Sequence, residues 1–288
     1  MIAFGSAIVD PDAYIRFARP GIQAAAEPHA RVFAFEAVGS VCRSNNLLLD
    51  AAAGLDDLEA LVLVEQQVEI LDVDLCAKVR TALADPDVAV AGAMGARGVS
   101  GLAWWEGRIS MGDVHVRFDE HGGGTLPAGS WTNVFPAPAE VDAVDGRLLA
   151  LSPWAVRNLR FDEELQLGYG YDVDFCRQAR AAGRKVVTAD VRAVQHRSLE
   201  LVKDRELWVE GHIALADKWD PGDERNWKAR ARRAEAERDA ARTMSYSAAT
   251  RVDAEVKSLE RELEAMTSSR SWRVTAPLRA INRWRHRR

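Results

Sequence analysis

The run Leu61-Val62-Leu63-Val64-Glu65-Gln66-Gln67-Val68 opens with four consecutive apolar residues and then turns polar. A short unbroken apolar run of this kind reads as a strand buried on both faces, the habit of parallel sheets. Working outward, Ile2–Val9, Arg31–Val38 and Val88–Ala93 read as further strands. Between them lie helical patterns: Pro11–Ala26, interrupted by Pro20 and Gly21; Ser44–Ala53, with Ser44 as N-cap; and Leu75–Leu83, with Asp72 or Asp74 to cap it. Strand and helix in alternation predict an α/β fold, a mostly parallel sheet with helices on both faces.

The texture changes after Gly95. Residues 96–140 are rich in glycine and carry the aromatics Trp104, Trp105, Phe118, Trp131 and Phe135, a pattern of loops and short antiparallel strands where a substrate wall can be built. Val141–Ser152 reads as a strand carrying Asp145-Gly146. Tyr171–Ala182 reads as a helix ending at Gly183, Lys185–Val194 as a strand that ends at His196, and Glu200–Trp219 as a closing helix. The expected organisation is a globular domain over 1–221, a helical, coiled-coil-like extension over 222–267 and a basic tail over 268–288. In the extension, Val252, Val256, Leu259, Leu263 and Met266 form a short heptad seam that suits a homodimer or a single solvated helix.

The 288 residues include 38 basic and 43 acidic side chains, a composition that excludes collagen-like and wholly disordered chains. The balance is uneven. Asp220–Arg288 holds 17 basic against 11 acidic residues, and seven arginines with no acid lie from Arg270 onward. Interleaved with Trp272, Leu278, Ile281 and Trp284, those arginines have the composition of an interfacial segment. A peripheral membrane contact through 268–288 is therefore expected; nucleic acid is not, because the body is acidic. No apolar run is long enough to span a bilayer, and there is no basic, then apolar, leader at the N-terminus. Three widely spaced cysteines (Cys42, Cys76 and Cys176) suit a reducing compartment, so the expected location is the cytoplasm, at the inner face of the cell membrane where the tail binds it.

In an open parallel sheet, ligands bind beyond the carboxyl ends of the strands. That rule selects Glu36, Ser40, Arg43, Asn45 and Asn46 after the second strand, Glu65, Gln66, Gln67 and Glu69 after the third, and then Asp145, Asp172, Asp174 and His196. A dinucleotide-binding Gly-x-Gly-x-x-Gly turn does not follow the first strand, where Gly5-Ser6-Ala7 stands.

The ordered set Val141-Asp-Ala-Val-Asp-Gly-Arg-Leu-Leu-Ala-Leu-Ser152, Phe161-Asp-Glu163, Gly170-Tyr-Asp-Val-Asp-Phe-Cys-Arg177 and Val194-Gln-His196 resembles the family 2-type GT-A glycosyltransferases. Arg43-Ser-Asn-Asn46 ahead of Leu61–Val68 fits the front half of the same family, and the resemblance covers roughly 1–200. It implies a nucleotide-sugar donor, a divalent cation (Mn²⁺ or Mg²⁺), and inverting transfer to an acceptor hydroxyl in the synthesis of a bacterial cell-surface or lipid-linked glycan. Asp172 matches the family's catalytic base; Asp174 is assigned to anchoring the helix start or to an acceptor hydroxyl. The bland alternative is that both merely cap their helix. Glu36, Arg43 and Asn45 are placed at the donor. Asp145, Gly146 and Trp104 are placed at the acceptor, with Trp105 and Trp131 as further stacking or core aromatics.

The metal position departs from the pattern. The residue aligned with the family's metal-binding Asp is Gln67, a neutral amide, so Glu65 or Glu69 supplies the charge, or the ion is held mainly by the diphosphate and His196, or the domain has lost metal dependence, even activity. Asp72-Val73-Asp74 satisfies Asp-x-Asp by letter but lies past the strand end and reads as a helix cap. Gln67 also keeps open an alternative, a catalytically degenerate domain that acts as a binding or scaffold protein.

Overall fold

The computed structural model describes residues 1–118, 129–133, 137–164, 169–198, 202, 204–219, 227–269, 272 and 274. β1 (Ile2–Ile8) leads into one helical run made of α1 (Pro11–Ala13), a π turn over Tyr14–Ala18, and α2 (Arg19–Ala25). Pro20 and Gly21 do not break this run. Pro20 follows directly on the π turn, and a Cβ on Gly21 would stand 2.8 Å from the Ile70 carbonyl. β2 (Val32–Glu36) precedes α3 (Val41–Ala53). The cap of α3 is Ser40, not Ser44: Ser40 Oγ accepts from Arg43 N at 3.2 Å, while Ser44 Oγ bonds back to the Ser40 carbonyl at 3.0 Å.

β3 (Ala60–Val64) is buried along its whole length, as its apolar run requires. β4 (Val68–Ile70) and α4 (Leu75–Ala82) follow. Neither candidate aspartate caps α4 through its side chain. Asp74 stands at the N-cap position without such a bond, and Asp72 instead takes the backbone N–H of Arg192 (2.6 Å), its Nε (2.9 Å) and the Lys78 ammonium (2.9 Å). Next come β5 (Val88–Gly92), β6 (Met94–Arg97), β7 (Ile109–Phe118) and β8 (Gly129–Asn133).

The segment expected as one strand over Val141–Ser152 is three: β9 (Glu140–Val141), β10 (Ala143–Val144) and β11 (Leu148–Leu151). The chain changes sheets there, β10 pairing with β6 and β11 with β3 and β5, so Asp145-Gly146-Arg147 becomes a turn between sheets. After α5 (Pro153–Asn158) and α6 (Tyr171–Ala181), the expected strand Lys185–Val194 also divides, into β12 (Lys185–Thr188) and β13 (Ala193–Arg197). α7 (Arg205–Trp219) and α8 (Trp227–Ser268) close the sequence of elements. The first residues of the helix expected from Glu200 lie partly outside the described residues.

Among the described residues, the main sheet has the order β2-β1-β3-β11-β5-β12-β9, and a second has the order β10-β6-β7-β13-β4 with β8 on β7. β1 runs parallel to β2 and β3, and β12 to β5; β11 lies antiparallel between β3 and β5. Five of its seven strands run the same way, with β11 and β9 reversed, so the expected α/β class holds on a sheet of mixed pairing. α3 buries Leu48 and Leu49 against it, while the α1–α2 run, with Ala18 and Ile22 buried, packs on β4 of the second sheet.

Two compact units divide the chain, Met1–Ala241 and Arg242–Arg288. The body therefore runs beyond the boundary expected near 221 and takes in the first turns of α8. There Ala234, Arg238 and Ala241 are buried, and Glu237 Oε2 approaches His212 Nε2 to 2.8 Å. In the second unit, Leu259, Leu263 and Met266 of the seam are exposed. Most of the basic tail, including Leu278, Ile281 and Trp284, lies outside the described residues. No helix of the described residues is long and apolar enough to cross a membrane.

Candidate active site

Two adjoining cavities open beyond the carboxyl ends of β1 and β3. The front cavity, about 230 Å³, is lined by Ala7, Gly39, Ser40, Asn45 and Gln66, among others. The back cavity, about 190 Å³, is lined by Trp104, Trp105, Asp145, Arg147, Asp172 and Gln195, among others. Glu65, Gln67, Gly146 and Tyr171 border both, so the two form one cleft.

Asp172 stands in the first turn of α6 and is buried. Its Oδ2 accepts the Gly146 N–H at 2.9 Å and its Oδ1 the Val173 N–H at 2.9 Å. Burial pushes its carboxyl up to about 7, and the neighbouring Asp145 charge adds to the rise, while those two N–H groups and Arg147 oppose it. Gly146 is required by this packing: a Cβ there would stand 2.8 Å from both Asp172 Cβ and the Tyr171 ring. Only a bare α-carbon lets the turn between β10 and β11 touch the start of α6 so closely.

The same turn organises the charges. Asp145 Oδ1 accepts the Arg147 N–H at 2.9 Å, and its Oδ2 lies 3.4 Å from both Arg147 Nη1 and Gln195 Nε2. Arg147 Nη1 donates to Gln195 Oε1 at 2.7 Å, and its Nε lies 3.5 Å from Glu65 Oε2. The Tyr171 hydroxyl donates to Glu65 Oε1 at 2.7 Å. Burial, with Glu65 and Asp172 nearby, holds the Tyr171 phenol well above its ordinary range, so it remains a donor.

Of the residues expected from sequence, Asp172, Asp145, Gly146, Trp104, Asn45, Glu65 and Gln67 line the cleft. Asp174 does not. Its carboxylate is 1% exposed and engaged by Gln178 Nε2 (2.8 Å) of its own helix and by Lys218 Nζ (2.8 Å) and Trp219 Nε1 (2.7 Å), which tie α6 to α7. Two residues along a helix turn the side chain about 200°, so Asp172 and Asp174 face opposite ways. His196 also faces away. The pleat of β13 aims Gln195 and Arg197 into the cleft and His196 out of it, stacked on Phe17 at 3.8 Å with Nε2 2.9 Å from Glu69. Glu69 is thereby outside the cleft, and Glu36 and Arg43 are exposed and line neither cavity. Asn46 is structural: its Oδ1 accepts from Phe161 N and its Nδ2 donates to the Phe161 carbonyl, both at 2.9 Å.

Further polar residues line the cleft without being marked by a motif role: Arg147, Tyr171, Gln195 and Arg197. For Gln195 a signal exists, the period of two along Val194-Gln195-His196-Arg197; the place of Arg147 depends on the sheet change that precedes it.

A divalent cation held by the protein needs several hard oxygen ligands on one point. No group of three or more His, Cys, Asp or Glu among the described residues could hold one. Glu65 already accepts from Tyr171 and lies beside the Arg147 guanidinium, Gln67 offers an amide, and His196 is turned away. The side chains present do not fit a protein-held divalent cation.

A cleft at the strand ends of a mixed α/β body, with a buried carboxylate facing it, places this chain among the α/β domains that bind ligands at the edge of an open sheet. Residues 22–211 match the model of the Glycosyltransferase like family, and the chain belongs to that family. Over 198 residues it is 28% identical to the streptomycin biosynthesis protein StrF of Streptomyces griseus, a match that covers 68% of this chain and 66% of StrF. Among solved structures, a mannosyltransferase of Pyrobaculum calidifontis in complex with GDP-Man and Mn²⁺ is similar with a TM-score of 0.46 and 14% identity, over 97% of this chain and 83% of that one. GalNAc-T7 with UDP, GalNAc and Mn²⁺ is similar with a TM-score of 0.45 and 12% identity, over 82% and 54%. Likenesses this loose fix no correspondence between residues.

Proposed function

We propose that this chain is a glycosyltransferase that moves a sugar from a nucleotide-sugar donor to an acceptor hydroxyl with inversion at the anomeric carbon. Asp172 is the observation that carries the reading. A base for an alcohol must be ionised near neutral pH yet still hold a proton well, and a carboxyl raised to about 7 in a cleft meets both needs. In the proposed step the acceptor oxygen attacks the anomeric carbon as Asp172 takes its proton. The bond from that carbon to the diphosphate breaks, and the diphosphate leaves with the electron pair.

The two cavities suit two substrates. The front one, with small residues at Gly5, Ala7 and Gly39 and polar groups at Ser40 and Asn45, suits the nucleotide. The back one is lined by Trp104 and Trp105 together with Asp145 and Asp172, and suits an acceptor sugar, with an apolar face to stack and hydroxyls to bind. We take the acceptor to be a cell-surface or lipid-linked glycan, reached from the inner face of the membrane by way of 268–288. The part named for StrF, in streptomycin biosynthesis, makes a small glycoside the second acceptor class to assay. Pairing of two copies through 226–266 belongs to the same reading. The scaffold alternative draws on Gln67 alone, and the intact surroundings of Asp172 favour the enzyme.

The test is a panel of UDP-, GDP-, dTDP- and CMP-sugars, with release of the nucleotide measured for the wild-type chain and for Asp172→Asn. One donor should be turned over by the first and not by the second. A chain that neither binds nor consumes any member of the panel is not a nucleotide-sugar enzyme.

A further inference from the structure

We propose that Arg147, in place of a divalent cation, supplies the positive charge that binds the donor's diphosphate, so that this chain holds a nucleoside diphosphate without metal. The inference rests on the nucleotide-sugar reading above and concerns how that donor is held.

Three observations converge on it. The first is the donor set at the end of β3. Where the resembled family has a metal-binding carboxylate, this chain has Gln67, which borders both cavities. An amide oxygen brings no net charge, and neutralisation of two phosphates is the purpose of a cation at that place. The second is that the other expected ligands are unavailable. His196 and Glu69 bond each other on the far side of β13, and Glu65 is engaged by Tyr171 and Arg147. An ion on Glu65 would lie beside a guanidinium and be repelled by it.

The third is Arg147 itself. Its side chain is 33% exposed and lines the cleft next to Glu65, one of the four residues that border both cavities. Nη1 is held by Gln195 and Asp145 and Nε faces Glu65, which fixes the plane of the guanidinium. Nη2 has no partner among the described residues and is left to donate to a ligand. A planar, permanently charged group held in one orientation is suited to phosphate oxygens, and it needs no ion to be recruited. The acids beside it have a role too. Asp145 and Glu65 orient the guanidinium.

The test is calorimetric titration of the full chain with UDP, GDP, dTDP and CDP, each in EDTA, Mg²⁺ or Mn²⁺. The expected result is one nucleoside diphosphate bound equally well in all three. Arg147→Met, checked for a native melting transition, should lose about tenfold to hundredfold in affinity, the worth of one or two charge-assisted hydrogen bonds. Gln67→Asp, which restores a carboxylate, should make binding respond to metal. Wild-type binding that disappears in EDTA overturns the inference and leaves the transferase reading standing. EDTA-resistant binding unchanged in Arg147→Met removes Arg147 from the role. Should Arg147→Met not fold, the EDTA comparison and Gln67→Asp still decide. No binding of any nucleoside diphosphate under any condition overturns the transferase reading, and this inference with it.

Discussion

The two walls of the cleft are built from different material. The front wall, from the ends of β1 and β3 and the start of α3, offers small residues and the neutral side chains of Ser40 and Asn45. The back wall concentrates charge, with Asp145, Arg147 and Asp172 in contact through a three-residue turn and the first turn of a helix. Binding spread over many main-chain groups tolerates the loss of any one side chain. Chemistry placed on one buried carboxylate does not. Substitutions should therefore be graded on the front wall and decisive on the back, and within the back wall the sharpest contrast is between Asp172 and Asp174.

The largest effect is expected for Asp172→Asn. Removal of a positioned base lowers turnover by about 10²–10⁴, and the asparagine keeps nearly the same shape, so the chain should fold and retain its nucleotide. The pH dependence carries a second signature. With a carboxyl raised to about 7, the rate should climb as pH passes through that value and level off above it, because the ionised form is the base. Stability should move the opposite way. The folded state holds this proton more tightly than the unfolded chain, whose carboxyl has the ordinary value of 3.8, so its contribution falls as pH rises from there to about 7 and is flat beyond. Urea melts across that range should show the slope in the wild type and lose it in Asp172→Asn. A variant that keeps the rising limb of the rate profile would show that another group titrates.

Asp174→Ala tests the other half of the contrast. It removes the partner of Lys218 and Trp219 from a site that is 1% exposed, and should cost about 2–4 kcal/mol of stability. Lys218 keeps Asp162 at 2.7 Å, which limits the loss. The fraction that remains folded at low temperature should turn over normally. A selective loss of acceptor affinity would return Asp174 to the cleft. Gly146→Ala comes next: the added Cβ overlaps Asp172 and Tyr171, which should cost about 1–3 kcal/mol by overpacking. Because it displaces the base rather than the nucleotide, kcat should fall more than nucleotide affinity, and equal falls in both would argue for a general loosening.

These contrasts also show where the sequence could be read and where it could not. The strands of the first hundred residues are legible because burial on both faces leaves an unbroken apolar run, and β3 lies within a residue of its expected start. The breaks at Asp145–Arg147 and Ala189–Arg192 are not legible in the same way. Asp145-Gly146-Arg147 and Asp190 mark polar interruptions, but hydropathy does not record which partner the strand on either side takes. Asp172 is marked by its place in an ordered motif. Arg147 joins the cleft only when that sheet change carries it to Glu65 and Gln195, residues far away in sequence. The helix period separates Asp172 from Asp174, and the strand period separates Gln195 from His196. In both pairs the periodicity says that the two side chains part, and the fold says which one meets the cleft.

The smallest effect on ligand binding is expected where the motif is most suggestive. His196 matches the metal-ligand histidine of the resembled family, yet it lies within β13, with its ring stacked on Phe17 and bonded to Glu69 on the face opposite the cleft. His196→Ala should then behave as a core truncation, with a stability loss of about 1–3 kcal/mol from lost packing and one lost hydrogen bond. Nucleotide affinity in the folded protein should stay within about twofold, which is under 0.5 kcal/mol, whether metal or EDTA is present. Gln195→Ala, one residue away on the other face, should reverse the balance: it removes the strongest hydrogen bond to the Arg147 guanidinium and leaves Phe17 undisturbed. Titration of the two variants side by side separates a motif position from a cleft position. If His196→Ala weakens nucleotide binding more than Gln195→Ala does, the orientation of β13 described above is wrong.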